Sequence, residues 1–534
     1  MVRTKEENIR LSNLLFPDVK ETPEDIFNKY PRRDLKEGSL VVRFAPSPTG
    51  FLHLGTVYTS FIDQKLADQT SGVNILRIED TDKKREVEKG VELIINGLAE
   101  FGIQFDESIN GGDYGPYMQS ERKEIYKVFA KDMIARSTAY PCFASEEELE
   151  IIRKKQEELK VRTGYYGEFA RWRGVSFDDV RKELDSGKKF VVRLYSTGDF
   201  KKKFEFNDEV KGRCTFSEND MDIVLLKSDM LPTYHFAHPI DDTLMGINLI
   251  VRGFEWFPSV PIHLELFEKL NFKSIKYAHI SPLMKMDGGK KRKLSKRKDP
   301  EFDSRYFLNH GYPVEGILEY FLNIMNSNFA DWRKENPDKS YKDFELKLKK
   351  FNKAGALFDM VKLKDMCKEY IARLSAQELY DEIFKWAQKN DTELAKRMEE
   401  NREYCIKILN IEREGDRIRK DIVKWEDVYS QFSMFFNDMY NELESERLPE
   451  NISEQSAKEI LDMFLDIYDE NDSSEEWFGK IKNIGSNLGY ARVGDVAMVL
   501  RIALTKRSKT PDLYQVMQVL GTERVEKRLR NFMV

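Results

Sequence analysis

The first apolar residues with a clear pattern form a short run, a broken stretch and then a periodic one. Leu40 to Val42 reads as a buried strand, and Pro46, Pro48 and Gly50 then rule out both helix and sheet ladder. Tyr58, Phe61, Ile62 and Leu66 recur at helical spacing until Ser71-Gly72, and a second run, Val73 to Ile78, completes a strand–loop–helix–strand unit. Val91, Ile94, Ile95 and Leu98 predict a helix over Lys89 to Phe101, with Asp82 as the capping side chain before it. The sheet is expected to resume at Asp222 to Leu226 and again in the run that leads to Val251. Beyond Pro300 the period is helical. Val314 to Met325 carries Ile317, Leu318, Phe321 and Leu322 on one face behind Pro313, Ile460 to Tyr468 gives another apolar face, and Val499 to Leu504 opens a last one. Residues 1 to 38 are polar apart from clusters such as Leu14, Leu15, Phe16, Ile26, Phe27 and Tyr30, which predict a short helical extension.

Composition narrows this picture. At 534 residues the chain is too long for one core, and roughly 100–200 residues per domain gives about three to five domains. A hydrophobic content of 41% against 34% charged is that of a soluble protein; no stretch has the length of a membrane span and no apolar h-region follows the N-terminus, so a cytoplasmic location is expected. A net charge of −6 argues against general affinity for nucleic acid. The distribution is uneven, however: Lys290-Lys291-Arg292-Lys293 and Lys296-Arg297-Lys298 make a basic run behind Gly288-Gly289, suited to gripping phosphate. Cys142, Cys214, Cys367 and Cys405 are scattered, which predicts reduced thiols and no zinc site.

The loop after the first strand is where an open parallel sheet binds ligands, because the following helix aims unpaired N–H groups at it. Neither a P-loop nor a G-x-G-x-x-G pattern occurs there; His53-Leu54-Gly55-Thr56 stands in its place. These residues resemble the HIGH signature of class I aminoacyl-tRNA synthetases, and the wider RFAPSPTGFLHLGT resembles its glutamyl-tRNA synthetase form. Lys293-Leu294-Ser295-Lys296-Arg297 resembles the KMSKS signature of the same class. Pro232 to His238, Val251 to Trp256 and the ending from Leu500 to Phe532 resemble the bacterial-type glutamyl family, whereas about Thr392 to Glu450 matches it poorly.

The resemblance implies an α/β fold: a Rossmann-type parallel-sheet catalytic domain (39–110 and 221–285) with a connective insertion (111–220) for the tRNA acceptor end. The helical extension (1–38) would precede it, and a stem-contact domain carrying the KLSKR loop (286–364) and an all-helical anticodon-binding region (365–534) would follow. It also assigns roles. His53, Gly55, Lys293 and Lys296 would act on the ATP phosphates, with Glu255 and Trp256 on ribose and base. Glu79 would hold the substrate α-ammonium; Arg43 and Arg252, with Ser47 and Tyr234, would receive its carboxylates. His238 stands where relatives often have Asn, and its titration would make the pocket sensitive to pH. Tyr165, Tyr166, Arg171, Trp172 and Arg173 could stack on bases or form the insertion's own core, and Arg492, Arg501, Lys506 and Arg507 are basic candidates near the anticodon end. The implied activity is attachment of L-glutamate to tRNA(Glu) through glutamyl-adenylate, with ATP as substrate, Mg²⁺ beside it, no membrane partner and a monomeric state. Alternatives are an enzyme that also charges tRNA(Gln), a glutaminyl-tRNA synthetase, a tRNA-modifying glutamyl transferase and a non-catalytic paralogue. Arg252, the helical second half and the retained His53, Lys293 and Lys296 weigh against the last three.

Overall fold

The computed structural model describes residues 3–48, 52–82, 87, 89–294, 298–299, 301, 303–353, 355–415 and 418–532. The chain divides into two compact units, one of residues 1–305 with 321–358, the other of 306–320 with 359–534.

In the first unit, strand Val41–Phe44 pairs in parallel with Val73–Leu76, and Leu249–Gly253 pairs in parallel with Lys276–Ile280, Arg252 opposite His279. Asn248 joins the two pairs: its N–H donates to Val41 C=O at 3.1 Å, and its side-chain oxygen accepts from Val41 N–H at 2.9 Å. Helix Leu54–Gln69 crosses between the first two strands, as the apolar spacing predicts. It stops where Gly72 comes so close to Leu40 that a Cβ would lie 1.9 Å from the Leu40 carbonyl oxygen. The next described helix, Gly90–Glu100, starts after Lys89 in a left-handed conformation and has no side-chain cap; Asp82 lies well upstream of its N-terminus and does not cap it.

Val224–Leu226 does not return to the parallel sheet. It pairs antiparallel with Val191–Leu194, which also pairs with Ala139–Cys142, so this run finishes the sheet of the insertion and the parallel strands resume only at Leu249. An apolar triplet packs equally well in either sheet, which is why the run alone could not distinguish them. A hairpin, Lys203–Asp208 with Gly212–Ser217, packs against strand Lys276–Ile280, where the Glu209 N–H donates to the Tyr277 carbonyl at 2.8 Å. The N-terminal segment is helical as expected, Lys5–Leu15 and Pro23–Lys29, each opened by a threonine capping box. Leu11, Phe16, Val19 and Ile26 pack into the same core as helix Lys123–Ala135.

The second unit is helical around its own core, in which Leu379, Ile383, Phe432, Ile460, Phe464 and Val499 are buried. The apolar faces read from Ile460 to Tyr468 and from Val499 to Leu504 meet there. Among the described residues no helix is long and apolar enough to cross a membrane.

Candidate active site

The loop leaving strand Val41–Phe44 and the start of helix Leu54–Gln69 make one wall of a cleft of about 320 Å³. Ser47, His53 and Gly55 line that wall; Gly253, Glu255 and Lys293, together with the stretch from Ile280 to Leu283, line the other side. His53 is the cap of the helix: its backbone is extended, and Nδ1 accepts the Thr56 N–H at 3.0 Å. Burial, and then the Lys293 charge, lower its imidazole to about 4, so the ring is neutral at physiological pH and the proton belongs on Nε2. Gly55 fits because a Cβ would press on the same ring, 3.2 Å from Nδ1. Lys293 Nζ lies 3.8 Å from Glu255 Oε1, both side chains more than half exposed. Lys296, with Ser295 and Arg297, lies outside the described residues.

Beside this cleft the strand ends and helix Tyr234–Leu244 assemble a buried polar cluster. Asp242 accepts from Arg43 Nε at 3.1 Å and from Arg77 Nη1 at 2.6 Å, and lies 2.7 Å from His238 Nδ1. Burial alone would raise the Asp242 carboxyl, but Arg43, Arg77 and His238 overcome it and hold it well below its ordinary range. Asp241 is surrounded in the same way by Arg122, Tyr126 and Gln119. Glu79 lies 3.4 Å from Arg77, and burial, opposed by Arg77 and Arg43, lifts its carboxyl to about 7.

One expectation changes here. His238 is fully buried, and its Nε2 shares a hydrogen bond with Tyr277 at 2.8 Å while Nδ1 faces Asp242. Burial lowers it to about 3 in spite of Asp242, so it stays neutral and gives the pocket no pH sensitivity near neutrality. Arg43, in turn, is committed to Asp242 and to the Val251 carbonyl. Arg252 differs. Its Nε donates to His279 Nε2 at 2.9 Å, Nη1 approaches His263 Nδ1 at 3.0 Å and the Tyr234 hydroxyl at 3.3 Å, and Nη2 donates to the Trp256 carbonyl at 3.3 Å. None of these partners is a carboxylate, and among the described residues no ion pair includes Arg252, which is 5% exposed. The Tyr234 and Trp256 rings pack against each other beside it, centroids 4.2 Å apart and planes tilted by 40°.

Thus Ser47, His53, Gly55, Glu255 and Lys293 share one cleft, while Arg43, Glu79, Tyr234, His238, Arg252 and Trp256 form the adjoining cluster. Sequence reasoning missed Arg77, Asp242 and His279 as members. The insertion's aromatic residues resolve toward the core: Tyr165 and Trp172 are buried, and Arg173 is paired with Asp222, leaving Arg171 exposed. Arg501, Lys506 and Arg507 donate to main-chain carbonyls of their own unit. Among the described residues there is no group of three or more His, Cys, Asp or Glu that could hold a metal ion, and the cysteines are unbridged.

The cleft thus combines a parallel α/β unit, a histidine-capped helix and a lysine side chain, the elements that a class I synthetase fold would bring together. The chain matches the family described as tRNA synthetases class I (E and Q), catalytic domain, over residues 39–353, and an anticodon binding domain over 362–533. The chain belongs to the class I tRNA synthetases of the E and Q group. It is 44% identical to the glutamate–tRNA ligase of Clostridium perfringens (strain SM101), over 98% of this chain and 99% of that one. It is also 44% identical to the glutamate–tRNA ligase of Clostridium beijerinckii, over 98% and 99%. A crystal structure of a glutamate tRNA ligase from Elizabethkingia meningosepticum, in complex with its amino acid, superposes with a TM-score of 0.75 at 29% identity, covering 93% of this chain and 99% of that one.

Proposed function

We propose that the chain joins L-glutamate to ATP as glutamyl-adenylate, releasing pyrophosphate, and then passes the glutamyl group to the terminal ribose of tRNA(Glu), releasing AMP. The observation that carries the choice of amino acid is Arg252, a buried guanidinium whose described partners are all neutral. A buried cation without a counter-charge is costly, and an incoming side-chain carboxylate supplies that charge where the amide of glutamine does not. Arg43 stands with it as a second cation that Asp242 already holds in place.

ATP enters the cleft as its magnesium salt. His53 Nε2–H donates to the phosphates, and Gly55 leaves the imidazole room to do so. Lys293, now 3.8 Å from Glu255, turns to the phosphates as their charge arrives, and Lys296 adds a second ammonium. Glu255 and Trp256 take ribose and base. Glu79, in its ionised form, holds the α-ammonium, which leaves the α-carboxylate of glutamate to attack the α-phosphorus in line. The activation step needs no side chain as general acid or base, since the attacking group is already a carboxylate. The enzyme is read as a cytoplasmic monomer.

Purified enzyme supplied with labelled amino acid and with tRNA(Glu) or tRNA(Gln) transcripts tests the reading. Glutamate is expected on tRNA(Glu) and glutamine on neither. Glutamate on both transcripts would identify an enzyme that also serves tRNA(Gln); labelled glutamine on tRNA(Gln) would overturn the assignment.

A further inference from the structure

Arg252 is held from behind by an acid–histidine pair drawn from outside the cleft. On the far side of the His279 ring from Arg252, Nδ1 lies 2.6 Å from Asp208 Oδ2, and the His279 backbone N–H donates to the same carboxylate at 3.2 Å. Asp208 ends the first strand of the Lys203–Ser217 hairpin and is fixed in turn by the N–H groups of Val210 at 2.9 Å and Lys211 at 2.8 Å. Both side chains are fully buried.

The arrangement dictates the tautomer. A carboxylate at Nδ1 requires the proton there, so Nε2 carries a lone pair, which is what Arg252 Nε–H needs at 2.9 Å. The other tautomer would set N–H against N–H. Burial, and then the Arg252 charge beside it, outweigh Asp208 and lower the His279 imidazole, so the acceptor is neutral. On the other side, His263 Nδ1 meets Nη1 in the same way, and its Nε2 lies 3.0 Å from His235 Nδ1.

We infer that Asp208 and His279 are positioning residues for amino-acid selectivity: they fix the direction of the Arg252 guanidinium while leaving its charge for the substrate's side-chain carboxylate. A carboxylate placed directly on Arg252 would hold it as firmly but cancel the charge, and an apolar wall would leave a buried N–H unpaired. A histidine backed by an acid does neither. The inference rests on the reading of Arg252 given above.

Three variants separate the possibilities in pyrophosphate exchange with tRNA present, followed as KM for glutamate and ATP and as the glutamate-to-glutamine ratio of kcat/KM. KM does not depend on how much of a preparation is folded. His279→Gln keeps an acceptor near the place of Nε2; His279→Asn keeps the group facing Asp208 but falls short of Arg252. His279→Asn is expected to raise the glutamate KM about tenfold and to lower the selectivity ratio comparably, the scale of one buried hydrogen bond to a charged group. Its KM for ATP should hold, and His279→Gln should stay within about threefold of wild type. Equal losses in the two variants, or wild-type values in both, would overturn the relay. Arg252→Ala distinguishes the two levels: a raised glutamate KM there beside unaffected His279 variants refutes only the relay, whereas an unchanged KM in Arg252→Ala refutes the cation reading itself.

Discussion

Glu79 is a side chain of this pocket whose charge turns over near neutrality. Burial, against Arg77 and Arg43, raises its carboxyl from 4.5 to about 7, while His53 and His238 titrate at about 4 and about 3. Above about 7 the group is a carboxylate that can hold an ammonium; as pH falls through that value it becomes neutral and the substrate loses its partner. The glutamate KM is therefore expected to rise as pH drops from 8 to 6, approaching about tenfold per unit at the acid end, with little change in the KM for ATP. Glu79→Gln should be weak and flat across the range, and a flat wild-type profile would contradict the role. At this scale the sequence was partly legible. His53, Gly55 and Lys293 are recognisable because each signature is a few consecutive residues. Asp242 and Asp208 were not, because their partners Arg77 and His279 lie 165 and 71 positions away, and a buried ion pair leaves no periodic trace.

Elements were legible where one face of a helix is apolar or a turn is forced. Val314–Met325 appears with the bounds its periodicity predicts, and Leu54–Gln69 begins where the loop of prolines ends. Pairing was less legible, as Val224–Leu226 shows, since three apolar residues suit a parallel or an antiparallel neighbour alike. Gly72 ties the first helix to the first strand, and the sequence alone presents it only as a helix stop. A Cβ there would strike main chain at 1.9 Å, whereas one at Gly479, within helix Ser474–Asn487, meets nothing within 4 Å. Gly72→Ala is accordingly expected to destabilise the first unit by about 1–3 kcal/mol or more, and Gly479→Ala to be neutral or stabilising by up to about 1 kcal/mol. Urea unfolding of the two variants checks this; equal stabilities would mean that the close approach of Gly72 to Leu40 does not constrain the fold.

For the whole molecule, the α/β first half and helical second half follow from a change in hydrophobic period, and both are present. The division into units does not follow it: residues 306–320 belong with 359–534, and 321–358 with the first unit. Helix Val314–Met325 has one uninterrupted apolar face, so nothing in its composition marks the change. At this scale the proposal is that a family fold sets a phosphate-binding cleft beside a buried cation, Arg252, and that this cation selects glutamate. Pyrophosphate exchange with glutamate and with glutamine, each with and without tRNA, tests that claim most directly. Exchange with glutamate and not with glutamine is the predicted result. Exchange driven by glutamine, or none under any condition, would contradict it.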